Sequence, residues 1–273
     1  MIELPEAQVL ARQMNEVLVG RKIISAEAGH SPHGFAFYEG DPKAYAEVIG
    51  GRMIDACRAY AGRVTLSMGD LELEFFDGVN PRYLAKGAPR PVKHQLLLEL
   101  DDGGALVCTV QMYGGLMLRK GAPTDFYAST AREKPSPLTD AFDEPYFMAL
   151  FEGIKQSLSA KALLATEQRI PGLGNGVLQD ILFQARIHPK AKALNLSAEQ
   201  RDHLYHSIKR TLRDMTEQGG RDTEKDLFGN AGGYRSILSS KTLNYPCPAC
   251  GGPITRQAYL GGNVYFCARC QTL

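Results

Sequence analysis

Acidic residues vanish from the end of this chain. Between Ala231 and Leu273 there is no Asp or Glu, while Arg235, Lys241, Arg256 and Arg269 are basic. A small segment with that bias, carrying Arg and Tyr, suits a polyanion or a partner protein, with nucleic acid the first to consider. The chain as a whole lacks a strong charge of either sign. A net charge of +1 and a pI near 7.6 exclude a globally basic nucleic-acid coat but leave room for local patches. No apolar run approaches the roughly 18 residues of a membrane span, and the N-terminus has no basic-then-apolar signal pattern. A cytoplasmic protein is expected, nucleoid-associated in a bacterium, with no membrane partner. Cysteine is scarce outside the tail, where only Cys57 and Cys108 occur. That argues against a disulfide framework and for a reducing compartment; both thiols are expected as small buried hydrophobes. There is no internal repeat and no low-complexity tract. A chain of 273 residues is long enough for two domains with real cores.

The tail holds the sharpest local pattern. Cys247-Pro-Ala-Cys250 is followed by sixteen residues and then Cys267-Ala-Arg-Cys270. Two C-x2-C knuckles at this spacing can each place two thiolates on one zinc ion. A tail with few large apolar residues cannot build its own core, so the metal would supply the folding energy. Four thiolates close the coordination sphere, which makes such a zinc structural rather than catalytic. An incidental thiol cluster or a disulfide pair is the alternative.

Periodicity divides the rest. Pro5 to Leu18 reads as a helix with Leu10, Met14 and Val17 on one face. From Lys22 to Arg119 strand signals dominate. Arg63–Met68 and Leu71–Phe76 are split by Gly69-Asp70, and Gln95–Leu100 and Ala105–Val110 flank Asp101-Asp102-Gly103-Gly104, a hairpin signal. Lys120 to Pro145, with four prolines, reads as a linker. Helical patterns follow at Glu144–Ser157, Ala160–Thr166 and Gly174–Ala185. A last helix is capped by Ser197 with Gln200 and lined by Leu204, Ile208, Leu212 and Met215. The expected fold class is α+β. A β-rich, sandwich-like N-terminal domain covers 1–125, a linker 126–145, a helical domain 146–232 and a zinc finger 233–273.

Three segments in order resemble one known pattern. Met1-Ile2-Glu3-Leu4-Pro5-Glu6 resembles the M-P-E-L-P-E opening of the formamidopyrimidine-DNA glycosylase/endonuclease VIII family. Pro171 to Pro189 resembles its helix–two-turn–helix segment, with Gly172, Gly174, Asn175, Phe183, His188 and Pro189 in place. Cys247 to Gln271 resembles its zinc finger, including the closing C-x-x-C-Q. Lys93 to Gly103 looks like its K-Y-L-L-L-x-L-x-x-G strand, and Ser136-Pro137-Leu138 like its hinge. Bottom-up chemistry agrees. Two glycines before a helix N-terminus let backbone N–H groups approach a phosphate, and Asn175 can add a donor; a plain helix N-cap is the bland alternative. Arg186, Lys190, Lys192, Arg201, Lys209, Arg210 and Arg213 outnumber nearby acids and can track a DNA backbone or merely face water.

The resemblance implies an enzyme that flips a damaged base out of duplex DNA. An N-terminal proline amine attacks the sugar and the adjacent glutamate moves protons. By matching position, Glu3 stands at the proton shuttle, Lys93 at a phosphate-clamping lysine and Met112 at the methionine that fills the void left by the flipped base. Glu3 as an N-cap acid, Lys93 as a surface lysine and Met112 as core are the plain alternatives, and core is the expectation for Met112 taken alone.

The pattern also breaks. Ile2 replaces the proline nucleophile and should keep Met1 in place, moving the free amine one residue outward. The finger-turn arginine position holds Gly262, with Asn263 beside it. Thr109 replaces a histidine, and no D-x-R-x-F-G run follows Met112; Asp77 to Tyr83, with Arg82, is a substitute candidate. The resemblance with these departures implies a monomeric, zinc-containing protein of damaged or distorted double-stranded DNA. Its DNA-gripping residues are kept and its lyase chemistry is impaired, with Glu3 activating a water for base release. A non-catalytic binder of lesions or branched DNA, and a zinc-ribbon adaptor between proteins, are the rival classes.

Overall fold

Glu3 caps the first helix, α1 (Leu4–Val17), and forms a reciprocal capping box with Glu6; Pro5 occupies the first turn, where no N–H is needed. Then come β1 (Ile23–Ala28), β2 (Ala36–Tyr38), α2 (Tyr45–Ile49), β3 (Ala56–Tyr60), β4 (Arg63–Met68), β5 (Leu71–Leu84), β6 (Leu96–Leu100) and β7 (Ala105–Lys120). The seven strands make one sheet in the order β1-β6-β7-β5-β4-β3, with β2 added in parallel to β7. Turn chemistry sets two of the hairpins. Gly69 at φ +66° closes β4 onto β5, and Gly103 at φ +84° closes β6 onto β7. Met14 and Leu10 of α1 pack with Leu66, Phe75, Leu98 and Leu116 in a continuous core. Cys57 and Cys108 lie in that core as expected, and burial pushes the Cys57 thiol up to about 12. The structure is a computed structural model that describes residues 1–273. No helix is long and apolar enough to cross a membrane.

The α+β class holds, with the strand-rich part first, but compact units do not follow linear order. Met1–Arg132 groups with Gly219–Gly233, while Glu133–Gln218 groups with Tyr234–Leu273. The return of 219–233 to the first unit was not visible as a boundary within 146–232. Its anchors are single long-range contacts. Leu227 enters the sheet core, the Leu227 N–H donates to Gln13 Oε1 at 2.9 Å, and Gln13 Nε2 donates to Asp226 at 3.0 Å. Part of the expected linker is helical too, as α3 (Phe126–Glu133), started by Asp125, whose carboxylate accepts from the Ala128 N–H.

Arg221 is the strongest of these anchors. It is 3% exposed and donates to Glu6 through Nε at 2.9 Å and Nη2 at 2.7 Å, with Glu3 at 3.7 Å. Burial alone would raise the Glu6 carboxyl, but Arg221 more than offsets it and holds Glu6 below its ordinary value of 4.5. A depressed carboxylate contributes stability that is present above the ordinary Glu range and lost as pH falls through the lowered native value. Arg221→Met removes the cation that faces the buried Glu6 and Glu3 carboxylates, so it should destabilise the protein by about 3–5 kcal/mol at neutral pH. The deficit should shrink on acidification, which lets those carboxyls protonate. Urea unfolding at two pH values measures both; a loss below about 1 kcal/mol, the scale of an exposed pair, would contradict the assignment.

The second unit is helical before its finger. It contains α4 (Glu144–Ala149), α5 (Ala160–Ala165), α6 (Asn175–Gln184) and α7 (Ala198–Glu217), then β8 (Ile254–Tyr259) and β9 (Gly262–Cys267). The Ser197–Gln200 capping box starts α7, and Leu204, Ile208, Leu212 and Met215 are fully buried, as the periodicity implies. The helix expected over 144–157 stops at Ala149, because the following turns run through Gly153 at φ +65°.

Candidate nucleic-acid interface and metal centre

The four tail cysteines converge. Cys247 and Cys270 sulfurs lie 3.8 Å apart and Cys250 and Cys267 sulfurs 3.5 Å apart, and all four fall within 4.8 Å of one another. A tetrahedral ion with Zn–S bonds of about 2.3 Å needs sulfurs about 3.8 Å apart. The donor set is all-sulfur and closed. The thiols are all free, so the disulfide alternative falls. The knuckles are tied to the helices by residues that spacing could not reveal. Gln271, fully buried, accepts from the Cys267 N–H at 3.0 Å and donates to the Ile187 carbonyl at 2.9 Å. That gives the glutamine closing the C-x-x-C-Q pattern a physical task. Gln179 of α6 similarly donates to the Asn263 carbonyl at 3.0 Å and accepts from the Tyr265 N–H at 3.0 Å. Lys161 of α5, 2% exposed, donates to the Tyr259 and Leu260 carbonyls at the finger turn.

That turn meets the start of α6. Gly174 is the N-cap and Asn175 the first helical residue, so the N-cap alternative for Asn175 is wrong. Its Oδ1 is buried without a partner. Gly172 at φ +77° turns the chain into the helix, as a phosphate-approaching loop requires. A Cβ on Gly262 would sit 2.1 Å from Asn175 Nδ2. A side chain at 262 would therefore push the Asn175 amide out of its present position. Asn263, beside it, already uses its side-chain oxygen on Arg256, 3.2 Å away. The basic face is only partly free to meet a polyanion. Lys209 donates to the Thr139 and Phe142 carbonyls, and Arg201 to those of Leu194 and Leu196. These two cations are committed to holding loops.

In the first unit, Ile2 forms a β-bridge with Asp77, its N–H donating to the Asp77 carbonyl at 2.6 Å, and its side chain is 7% exposed. The Met1 ammonium pairs with Glu224 at 2.6 Å. Glu3 is buried, at once the N-cap acid of α1 and an ion-pair partner of Arg221. Next to this corner the sheet bulges. Asp77 pairs with Gly114 and Val79 with Val110, so Gln111, Met112 and Tyr113 stand opposite Gly78 alone. A Cβ on Gly78 would fall 1.9 Å from the Gln111 carbonyl oxygen, which demands glycine there. Met112 takes φ +65° and is 66% exposed. The expectation that Met112 is core is overturned: the bulge extrudes it as an apolar wedge on a left-handed backbone, a conformation found at functional sites. Tyr113 stands beside it with its hydroxyl pKa raised, by burial first and then by the carboxylates of Asp77 and Glu3.

Lys93 is exposed on the loop before β6 and makes no ion pair. Arg82 is half-buried within β5, donates to the Pro81 carbonyl at 2.6 Å and has its pKa lowered by burial, so its side chain braces its own strand.

Comparison with known proteins follows the same outline. The family profile "Formamidopyrimidine-DNA glycosylase H2TH domain" matches residues 134–226. A formamidopyrimidine-DNA glycosylase of Symbiobacterium thermophilum is 30% identical over 277 residues, covering 99% of this chain and 89% of the relative. The crystal structure of the MutM (Fpg) protein from Thermus thermophilus superposes with a TM-score of 0.81 at 25% identity, covering 98% of each chain. An arginine-to-glycine mutant of LlFPG, in complex with a THF-containing DNA, superposes with a TM-score of 0.83 at 25% identity, over 99% of this chain and 100% of that one. With a relative of 30% identity along nearly its whole length, and with the helical segment and cysteine finger in place, this chain belongs to the formamidopyrimidine-DNA glycosylase family.

Proposed function

We propose that the protein recognises damaged bases in duplex DNA and releases them as a DNA glycosylase, with its N-terminal amine lyase step impaired or lost. One observation carries this most: the buried Glu3 corner lies beside an extruded, exposed Met112 on a strained bulge. An apolar wedge next to a buried carboxylate is what base flipping and hydrolysis both need. Met112 enters the duplex where the base leaves, and Glu3 activates a water at the sugar carbon. The impaired lyase step rests on Ile2, whose nitrogen is a peptide N–H committed to Asp77 where the family places a proline amine. One Zn²⁺ held by Cys247, Cys250, Cys267 and Cys270 keeps the finger turn against Asn175. Lys93 and the N-terminus of α6 hold phosphates. The working species is a single chain on double-stranded DNA in the cytoplasm.

A second reading, a non-catalytic lesion binder, is favoured by one feature: the carboxylate of Glu3 is ion-paired with Arg221 and so less available as a base.

Affinity measurements test the DNA-facing residues. Lys93→Ala and Asn175→Ala should each weaken binding to lesion-containing duplex by roughly 1–3 kcal/mol, as for charge-assisted contacts, and Lys93→Ala should flatten the salt dependence. Gly262→Ala should reproduce the Asn175→Ala loss, because its methyl group displaces that side chain. Unchanged affinity in all three variants would refute this docking mode.

A further inference from the structure

Outside the site described above, the first unit holds one more cluster of ligand-type side chains: Glu27 at the end of β1, His30 just beyond it, and His94 in the loop before β6. We propose that Glu27, His30 and His94 form a second metal site, an exchangeable three-ligand site for a divalent transition ion such as Zn²⁺, Co²⁺ or Ni²⁺.

The donor geometry carries the proposal. Glu27 Oε1 lies 2.8 Å from His30 Nδ1, and Glu27 Oε2 lies 3.1 Å from His94 Nε2. All three donor atoms fall within 4.8 Å of one another. An ion with bonds of about 2.1 Å to N and O holds its tetrahedral donors about 3.4 Å apart, so the two carboxylate–imidazole contacts, now 2.8 and 3.1 Å, widen by about 0.3–0.6 Å to admit one. The two imidazoles are stacked, with centroids 4.5 Å apart and planes 13° from parallel, both edges turned to the same carboxylate.

The surroundings of His94 point the same way. Its Nδ1 faces the Pro91 carbonyl at 3.1 Å while its Nε2 faces Glu27. Both neighbours are oxygen atoms, one on each side of the ring. With an ion on Nε2, the Nδ1–H still donates to Pro91, and that outer bond fixes tautomer and ring plane, as metal-bound histidines usually require.

The backbone that presents the donors is preformed. The Gly29 N–H donates to the Gln95 carbonyl at 2.9 Å and the Ser31 N–H to the His94 carbonyl at 3.0 Å, while Gly29 at φ +71° turns His30 back toward Glu27. His94 is 5% exposed, whereas His30 and Glu27 are open to solvent at 41% and 52%. An ion can therefore enter, and three protein ligands leave it an open position. N/O donors favour borderline ions such as Zn²⁺ or Ni²⁺ over Mg²⁺ or Ca²⁺.

The test uses the full chain with zinc already loaded in the cysteine finger, titrated with Co²⁺ and followed by visible absorption and calorimetry. One additional equivalent should bind, giving ligand-field bands without the thiolate charge-transfer absorption that cobalt in the cysteine site would produce. His30→Ala and Glu27→Gln, both at exposed positions, should each weaken that equivalent by at least about tenfold while leaving the finger zinc content at one per chain. No second equivalent in the unaltered protein, or an equivalent whose affinity neither substitution changes, would overturn the site.

Discussion

Replacing Cys247 by Ser, or stripping the metal with a chelator, is expected to unfold the finger and remove most of the DNA affinity. Cys247, Cys267, Leu238 and Ile254 are the buried members of the finger's own cluster, a core too small to hold the finger without a metal on its four cysteines. Structural zinc in such modules contributes about 10–16 kcal/mol of apparent binding energy at neutral pH, more than this cluster can replace. The consequence spreads along Gln271, Gln179 and Lys161, each of which joins a finger backbone group to the helices. When the turn lets go, Asn175 loses the Gly262 backbone against which it packs. The affinity loss should therefore exceed that of Asn175→Ala alone. Metal analysis should find one zinc per chain before chelation. A metal-free protein, or a Cys247→Ser variant that binds damaged duplex as the original does, would be incompatible with a structural zinc.

The second large effect is expected at Ile2. Schiff-base formation needs an unprotonated amine held against the sugar carbon. Here the residue 2 nitrogen is a peptide N–H bonded to Asp77, and the terminal ammonium is paired with Glu224 one residue further out. Placement errors of about 1 Å already cost roughly 100-fold. Borohydride trapping on abasic or oxidised-base DNA should accordingly be weak or absent. Ile2→Pro should permit removal of Met1 and present a secondary amine, raising trapping by about 100-fold or more on the same reasoning. The gain carries a cost, because Ile2 is buried in the sheet core. Reduced stability with increased trapping would fit this account. Equal trapping by the two proteins would not.

Much of this was legible from residues alone, and for identifiable reasons. The tail cysteines show themselves because metal geometry fixes their spacing. The Gly69-Asp70 and Asp101–Gly104 turns are legible because their chemistry is local. Gly172, Gly174 and Asn175 stand out because a turn into a helix N-terminus draws on glycine and small polar residues, and α6 starts there. Other determinants have no local signature. Arg221 is one of many arginines in the sequence, and its meaning lies in Glu6, 215 positions away. Met112 taken alone reads as core, and only the pairing of β5 with β7 shows that the bulge at Gly78 expels it. Gly262 looks like a lost arginine; its contact with Asn175 shows what glycine does there. The division of the chain was hidden for the same reason, since the 219–233 segment joins the first unit through side chains rather than through a change in pattern.

The most direct test is a time course on one lesion-containing duplex, with base release, strand incision and borohydride trapping measured in parallel for the unaltered protein, Ile2→Pro and Glu3→Gln. Base release without matching incision or trapping is predicted for the unaltered protein, loss of release for Glu3→Gln, and recovery of trapping for Ile2→Pro. Trapping by the unaltered protein as strong as that of Ile2→Pro would contradict the account of its N-terminus. Tight lesion binding with no base release would contradict the glycosylase and leave the non-catalytic lesion binder.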